Sequence, residues 1–263
     1  MRHLRVVLIP IISILLVFLI WDVLIRAFHV EPFVAPSPGE AIGALAEHWS
    51  TLWPLALETI RETIYGFALG AALGFILAVA MAQTRTMQGL IYPALITSQA
   101  VPIIAIAAPL VILLGFGIWP KIVIVAWIVF FPVAVSVLDG LANTDRDLLN
   151  LARVMGGSRW RVFLVIRLPA TVSPLYSGLK IGATYAVTGA IIGELVASTG
   201  SSLAGFQRTA NSSLDTPAVW GTTLLMTAIG IGWFLLVVGL ERLTTPWRSR
   251  ATRRRVPFTH HRD

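Results

Sequence analysis

Few side chains in this sequence are equipped for chemistry, and several of those lie inside apolar runs. Lys180 and Glu194 stand fourteen residues apart in one such run, about 21 Å along a helix, too far to pair with each other. A charge inside an apolar span is costly, which makes each such residue a functional candidate. Lys180 lies near the start of its run, where its stem lets the ammonium snorkel to the nearer interface. Glu194, near the other end, is expected either to face the mouth of a route through the membrane or to pair with a neighbouring span. Glu58, Arg61 and Glu62 have the i, i+3 and i, i+4 spacing that predicts local pairing. Among neutral groups, Ser98, Gln99, Thr184 and Thr188 could meet a polar solute, although serine and threonine also bond back to their own helix.

Several chemistries are missing. No G-x-x-x-x-G-K-[ST] occurs, so the usual nucleotide-phosphate cradle is absent. No H-E-x-x-H or G-x-S-x-G occurs either, and there are no cysteines. No His and carboxylate set has metal-ligand spacing, and His260-His261 read as a solvated end. Titratable groups near the middle of the apolar runs are almost lacking, which disfavours a proton-coupled carrier.

Composition explains the pattern. The chain has 263 residues, 56% hydrophobic and 13% charged, against roughly 25% charged in soluble proteins. Its mean hydropathy is +0.81. A polytopic membrane protein follows, and its apolar runs of helix length are read as about six spans, for which an all-α fold is expected. The net charge of +7 does not point to nucleic acid, because the basic residues gather at span ends and in a tail.

The spans fall at about 6–25, 55–82, 90–114, 119–138, 174–197 and 218–240. The first is too long for a signal-peptide core and lacks an A-x-A site, so it is expected to be retained. The chain divides into an N-terminal span (1–28), an outer segment with a short helix from about Pro38 (29–54), a core (55–241) and a basic tail (242–263). Trp49 and Trp53 are placed at the membrane interface. Gly66, Gly70 and Gly74 share one face of the second span and predict close helix packing. Pro93, Pro102 and Pro109 break the third span, and the carbonyls they free must face protein or water. That places Pro102, with Ser98, Gln99, Thr184, Thr188 and Glu194, among the candidates for a translocation pathway.

One polar stretch interrupts the core. Asp139 to Pro169 carries eight charges, yet its apolar residues keep helical spacing. Leu148, Leu151, Ala152 and Met155 form one set; Val162, Phe163, Ile166 and Leu168 form another. Gly156-Gly157 between them suits a helix end and turn. Ser158 is placed to cap the next helix, and Pro169 is expected to end it. The spacing predicts a helix-turn-helix outside the bilayer, offering an apolar face to something in water.

This stretch resembles the EAA loop of bacterial ABC importer permeases, E-A-A, three residues, G, nine residues, I-x-L-P. The pattern falls on Asn150, Leu151 and Ala152, then Gly156, then Ile166, Leu168 and Pro169. Asn150 replaces the glutamate and Leu151 the first alanine. The third and fourth spans, Gly193-Glu194-Leu195 and the Leu214–Gly221 segment are similar to the nitrate/sulfonate/taurine permease group. The resemblance implies a type I importer in a bacterial inner membrane. It implies two ATP-binding subunits carrying ATP and Mg, a second permease forming a dimer (here a homodimer), and an extracytoplasmic binding protein. This chain itself would hold no cofactor. Loop 140–170 would be the coupling element, with Ala152 and Gly156-Gly157 entering a cleft on the ATPase, Arg153 and Arg159 at its rim and Ser158 opening the second helix. Ser98-Gln99-Ala100-Val101-Pro102 resembles members that serve thiamine-pyrimidine precursors or riboflavin; sulfonate-type members usually read R-P-I-P-P there. A stand-alone carrier or channel is the other class open to this composition.

Fifteen of the twenty lysines and arginines fall on the side of the N-terminus. The positive-inside rule then places both termini and loop 140–170 in the cytoplasm. Cysteines introduced as Ser158→Cys and Ser212→Cys are expected to react with an impermeant maleimide from opposite sides of sealed vesicles. Labelling of both from one side would refute this topology.

Overall fold

A computed structural model describes residues 2–198 and 202–246. The basic tail beyond 246, with His260-His261, lies outside the described residues. No strand occurs among those described. The helices are α1 (Arg2–Ala27), α2 (Pro38–Glu47), α3 (Trp49–Gln83), α4 (Arg85–Ala100), α5 (Ile103–Leu114), α6 (Ile118–Ala142), α7 (Arg146–Val154), α8 (Arg159–Val162), α9 (Leu168–Ala170), α10 (Val172–Ala197), α11 (Leu203–Ser212) and α12 (Thr216–Thr244).

Among the described residues α3, α6, α10 and α12 are long and apolar enough to cross a membrane. The broken pair α4 and α5 makes a fifth span if counted as one. The expected third span is therefore two helices. Val101 and Pro102 interrupt it, with Pro102 as the residue that opens α5, because a proline excludes helical geometry from its predecessor. The apolar run 6–25 lies within α1. The second span begins earlier than expected, at Trp49, and carries Pro54 inside it.

The helices contribute to two compact units. One holds Met1–Gly66, Val101–Ala126 and Ala186–Gly230. Its apolar centre is Leu52, Ala56, Leu203, Ala204, Leu225 and Met226, buried together. The short helix expected from Pro38 is α2. Ser37 accepts from the Glu40 amide at 3.3 Å while Glu40 accepts from the Ser37 amide at 2.7 Å, a reciprocal cap. Gly221 lets α12 press on α2; a Cβ there would stand 2.7 Å from the Ala41 carbonyl. Gly66 faces Val125 of α6 so closely that any added Cβ would overlap it.

The other unit holds Phe67–Ala100, Trp127–Tyr185 and Ile231–Asp263. Here α6 lies between α3 and α10. On one side Gly74 meets the Phe130 carbonyl and the Ala134 amide. On the other, a Cβ on Gly178 would stand 2.7 Å from the Pro132 carbonyl, and one on Gly182 3.1 Å from Val129. Gly70 is buried as well. The glycine face of α3 is thus a packing face at Gly66 and Gly74, and α10 carries a second one.

Replacing Gly74 by leucine drives a branched side chain into backbone, and overpacking costs about 1–3 kcal/mol even where side chains can yield. Gly74→Leu is expected to lower the yield and melting temperature of purified protein. Gly89→Leu, where nothing lies within 4 Å, should match the parent; equal melting of both variants would remove the packing argument.

Candidate functional site

The loop between α6 and α10 is built on a closed helix end. Asp145 accepts from the Asp147 amide at 2.8 Å and starts α7. At the far end Gly156 has φ +79°, a left-handed value that glycine adopts without strain. The Gly157 amide reaches back to the Ala152 carbonyl at 2.9 Å, and Gly156 to the Arg153 carbonyl at 3.0 Å. That pair of bonds is a Schellman closure. Gly157 is required for room, since a Cβ there would stand 2.7 Å from the Ala152 oxygen. The two glycines thus do different work, and the alanine four residues before Gly156 supplies the carbonyl that closes the turn.

Ser158 then caps α8 through the Arg161 amide, 3.3 Å away. The second helix does not stop at Pro169, as the sequence suggested. Phe163–Arg167 form a π-turn in which the Leu168 amide bonds to the Phe163 carbonyl. Pro169 follows at the start of α9, and α10 begins at Val172. The wider turn removes the need for an amide at Pro169, so the chain passes the proline while staying helical.

Leu148, Leu151, Val154 and Met155 of this loop are all exposed, Val154 at 86% and Met155 at 79%. Asn150 is exposed beside them, while Ala152 is half-buried. Ile166 and Leu168 are half-buried and Pro169 exposed. Arg167 ties the loop to its base, donating from Nη2 to the Leu141 carbonyl at 3.0 Å.

The pathway candidates are only partly brought together. A cavity of about 400 Å³ in the second unit is lined by Gln99, Pro132, Ser136, Ile181 and Tyr185, among others. Thr184 lies beside that lining but bonds back to the Lys180 carbonyl at 3.0 Å. Ser98 likewise bonds to the Leu95 carbonyl at 2.7 Å. Thr188 and Pro102 belong to the other unit. Ser136 and Tyr185 were not foreseen; each sits in a stretch that reads as ordinary apolar span.

Glu194 takes the second of its two expected settings, a bond to a neighbouring span. It is 1% exposed. One of its oxygens accepts from the Thr59 hydroxyl and the other from the Ala204 amide at 2.9 Å. It therefore joins α3, α10 and the start of α11. Glu62 does not pair locally either. Arg61 takes Glu58 at 2.8 Å, and Glu62 pairs with Lys121 of α6 at 2.6 Å, both buried. Lys180 bonds to Glu241 of α12 at 2.8 Å rather than reaching only for the interface. Matching intramembrane charges by sign, rather than along one helix, was the signal available in the sequence for both pairs.

Residues 70–249 match the model of the binding-protein-dependent transport system inner membrane component family. The chain belongs to that family. It is 29% identical over 242 residues to the formylaminopyrimidine transport permease protein ThiX of Halalkalibacterium halodurans, covering 92% of this chain and 96% of that one. It is 27% identical over 240 residues to the riboflavin transport system permease protein RibX of Chloroflexus aurantiacus, covering 90% and 89%. The fold is that of a solved amino acid ABC transporter chain, with TM-score 0.60 and 13% identity over 77% of this chain and 96% of that one. The protein is thus a multi-pass permease component of an ABC importer in the inner membrane, and not an enzyme.

Breaking one side of a buried ion pair strands the other charge, at a cost of about 3–5 kcal/mol. Lys121→Met is expected to destabilise the permease strongly, and Glu62→Leu combined with Lys121→Met to recover most of the loss. Thermal melts of the single and double variants in one detergent measure this; additive losses would mean that the pair is not coupled.

Proposed function

We propose that this permease receives a small polar solute from an extracytoplasmic binding protein and passes it inward, driven by an ATPase that docks on residues 143–169. Both termini and this loop face the cytoplasm. Two ATP-binding subunits carrying ATP and Mg serve a homodimer of the permease. The observation that carries the reading is the exposed row Leu148, Leu151, Val154 and Met155 on a charged helix too short to cross a membrane. A row of that kind needs a cover in water. Ala152, Gly156 and Gly157 shape the end of the element that enters the partner. Gln99, Ser136 and Tyr185 are the groups nearest to a polar solute in the second unit.

The substrate class favoured is a vitamin precursor of the pyrimidine or flavin type, ahead of a sulfonate, nitrate or taurine. The resemblance of Ser98–Pro102 and the names of the two relatives both support it. Transport assays with each solute class, using the binding protein encoded beside the permease, decide between them.

Coupling is tested at the turn. Gly156 has open space around it but a left-handed backbone, so a β-branched residue is strained there by about 1–2 kcal/mol. Gly156→Val is expected to insert normally, to lose transport, and either to lose the ATPase on purification or to leave hydrolysis unresponsive to binding protein. Gly43→Val, on the open side of α2, serves as the control. Parental transport by Gly156→Val with its ATPase retained would exclude this turn as the coupling element.

A further inference from the structure

Behind the turn lies a cavity of about 610 Å³, lined by Arg153, Arg159, Arg167, Gln83, Leu149 and Phe163 among others. Ala82 and Gln83, the last residues of α3, are part of its lining, so it lies at the end of a helix long and apolar enough to cross a membrane. Three guanidinium groups line it and no carboxylate does. None of the three arginines forms an ion pair among the described residues. Arg167 spends one nitrogen on the Leu141 carbonyl, and its Nε is buried without a partner. Arg153 and Arg159 are exposed and Arg167 is half-buried, and three like charges with no protein counter-charge favour an anion. Guanidinium is the side chain best matched to a phosphate, with planar, paired N–H donors.

The position separates a lipid from a protein partner. A helix turns by about 100° per residue, so Leu149 and Arg153 lie roughly 145° round α7 from the exposed row Leu148, Leu151 and Met155. The cavity therefore opens on the side away from that row, toward the end of a membrane-crossing helix. Its lining mixes the arginines with Leu149, Val162, Phe163 and Ala82, a charged head beside apolar walls. Basic pockets at this depth suit anionic lipid headgroups.

We propose that Arg153, Arg159 and Arg167 form an oxyanion site that holds the phosphodiester headgroup of an anionic membrane lipid behind the α7–α8 turn. A lipid seated there braces the turn from its membrane side and makes the loop's stiffness depend on the surrounding bilayer.

The full chain in mild detergent is titrated with short-chain phosphatidylglycerol, with phosphatidylcholine of the same chains, and with inorganic phosphate. Native mass spectrometry counts the bound molecules. One phosphatidylglycerol is expected to bind about tenfold or more tightly than phosphatidylcholine, given the strength of charge-assisted pairs. Arg167→Gln is expected to abolish that preference. Because Arg167 also holds the Leu141 carbonyl, Gln83→Glu provides a second variant that keeps every arginine and places a carboxylate in the lining. It should weaken phosphatidylglycerol by a similar factor while phosphatidylcholine is unchanged. Tight phosphate binding with no preference between the lipids would overturn the lipid assignment in favour of a free anion. Equal binding of both lipids without phosphate binding, or an unaltered preference in Gln83→Glu, would overturn the site itself.

Discussion

The close approach of α6 to its neighbours is the contact on which the rest depends. In a bilayer the hydrocarbon surroundings are as apolar as the side chains, so helices gain little by hiding leucines from lipid. They gain from dispersion and shape, which requires backbones to come near one another. Gly66 and Gly74 of α3, and Gly178 and Gly182 of α10, provide that nearness by leaving nothing between one backbone and the next. The loop 143–169 hangs between α6 and α10 and inherits its geometry from their contact. Gly140 against Pro174, and Arg167 on the Leu141 carbonyl, fix the two ends of the loop at its base. A loop on a loose base could not transmit a push.

Buried charge supplies what packing alone does not, which is selectivity among nearly equivalent apolar arrangements. The glycine contacts set how near α6 comes to α3, and a buried ion pair adds a check on register. Sliding α6 along α3 would tear Lys121 from Glu62. Glu194 acts similarly for α11, where its carboxylate replaces the partner that the Ala204 amide lacks at a helix start. Such groups add little net stability, and their worth lies in excluding wrong registers.

How much of this could be read from the chain depended on the range of the interaction. The turn at Gly156-Gly157 is local: a helix end, a left-handed residue and a cap lie within seven residues, so sequence spacing carries nearly all of it. The glycine face of α3 was visible because its members recur at four-residue intervals on one helix. Gly178, Gly182, Gly189 and Gly193 share one face of α10 as well, but the seven-residue gap after Gly182 breaks the simple four-residue interval. Pairs such as Glu62 with Lys121 and Lys180 with Glu241 join residues 59 and 61 apart, and no periodicity marks them. Pro169 misled because its usual effect assumes an α-helical neighbourhood. The chain escaped through a wider turn that proline rules do not include.

That wider turn also fixes an angle. A π-turn accommodates one residue more than the α-helix it interrupts, and each residue of an α-helix advances the chain by about 100°. The segment Phe163–Arg167 is therefore a phase shift written into the backbone, ahead of α10. Whatever orientation the loop imposes on α8 reaches α10 with that offset, and the side of α10 turned toward α6 carries Gly178 and Gly182. Had the same residues run on as a plain α-helix, α10 would be turned by about 100°, and Ser177 and Ile181 would stand where Gly178 and Gly182 now meet that seam. The turn behaves as a keyed joint, which lets a loop shaped for one partner and a helix shaped for another belong to the same continuous rod.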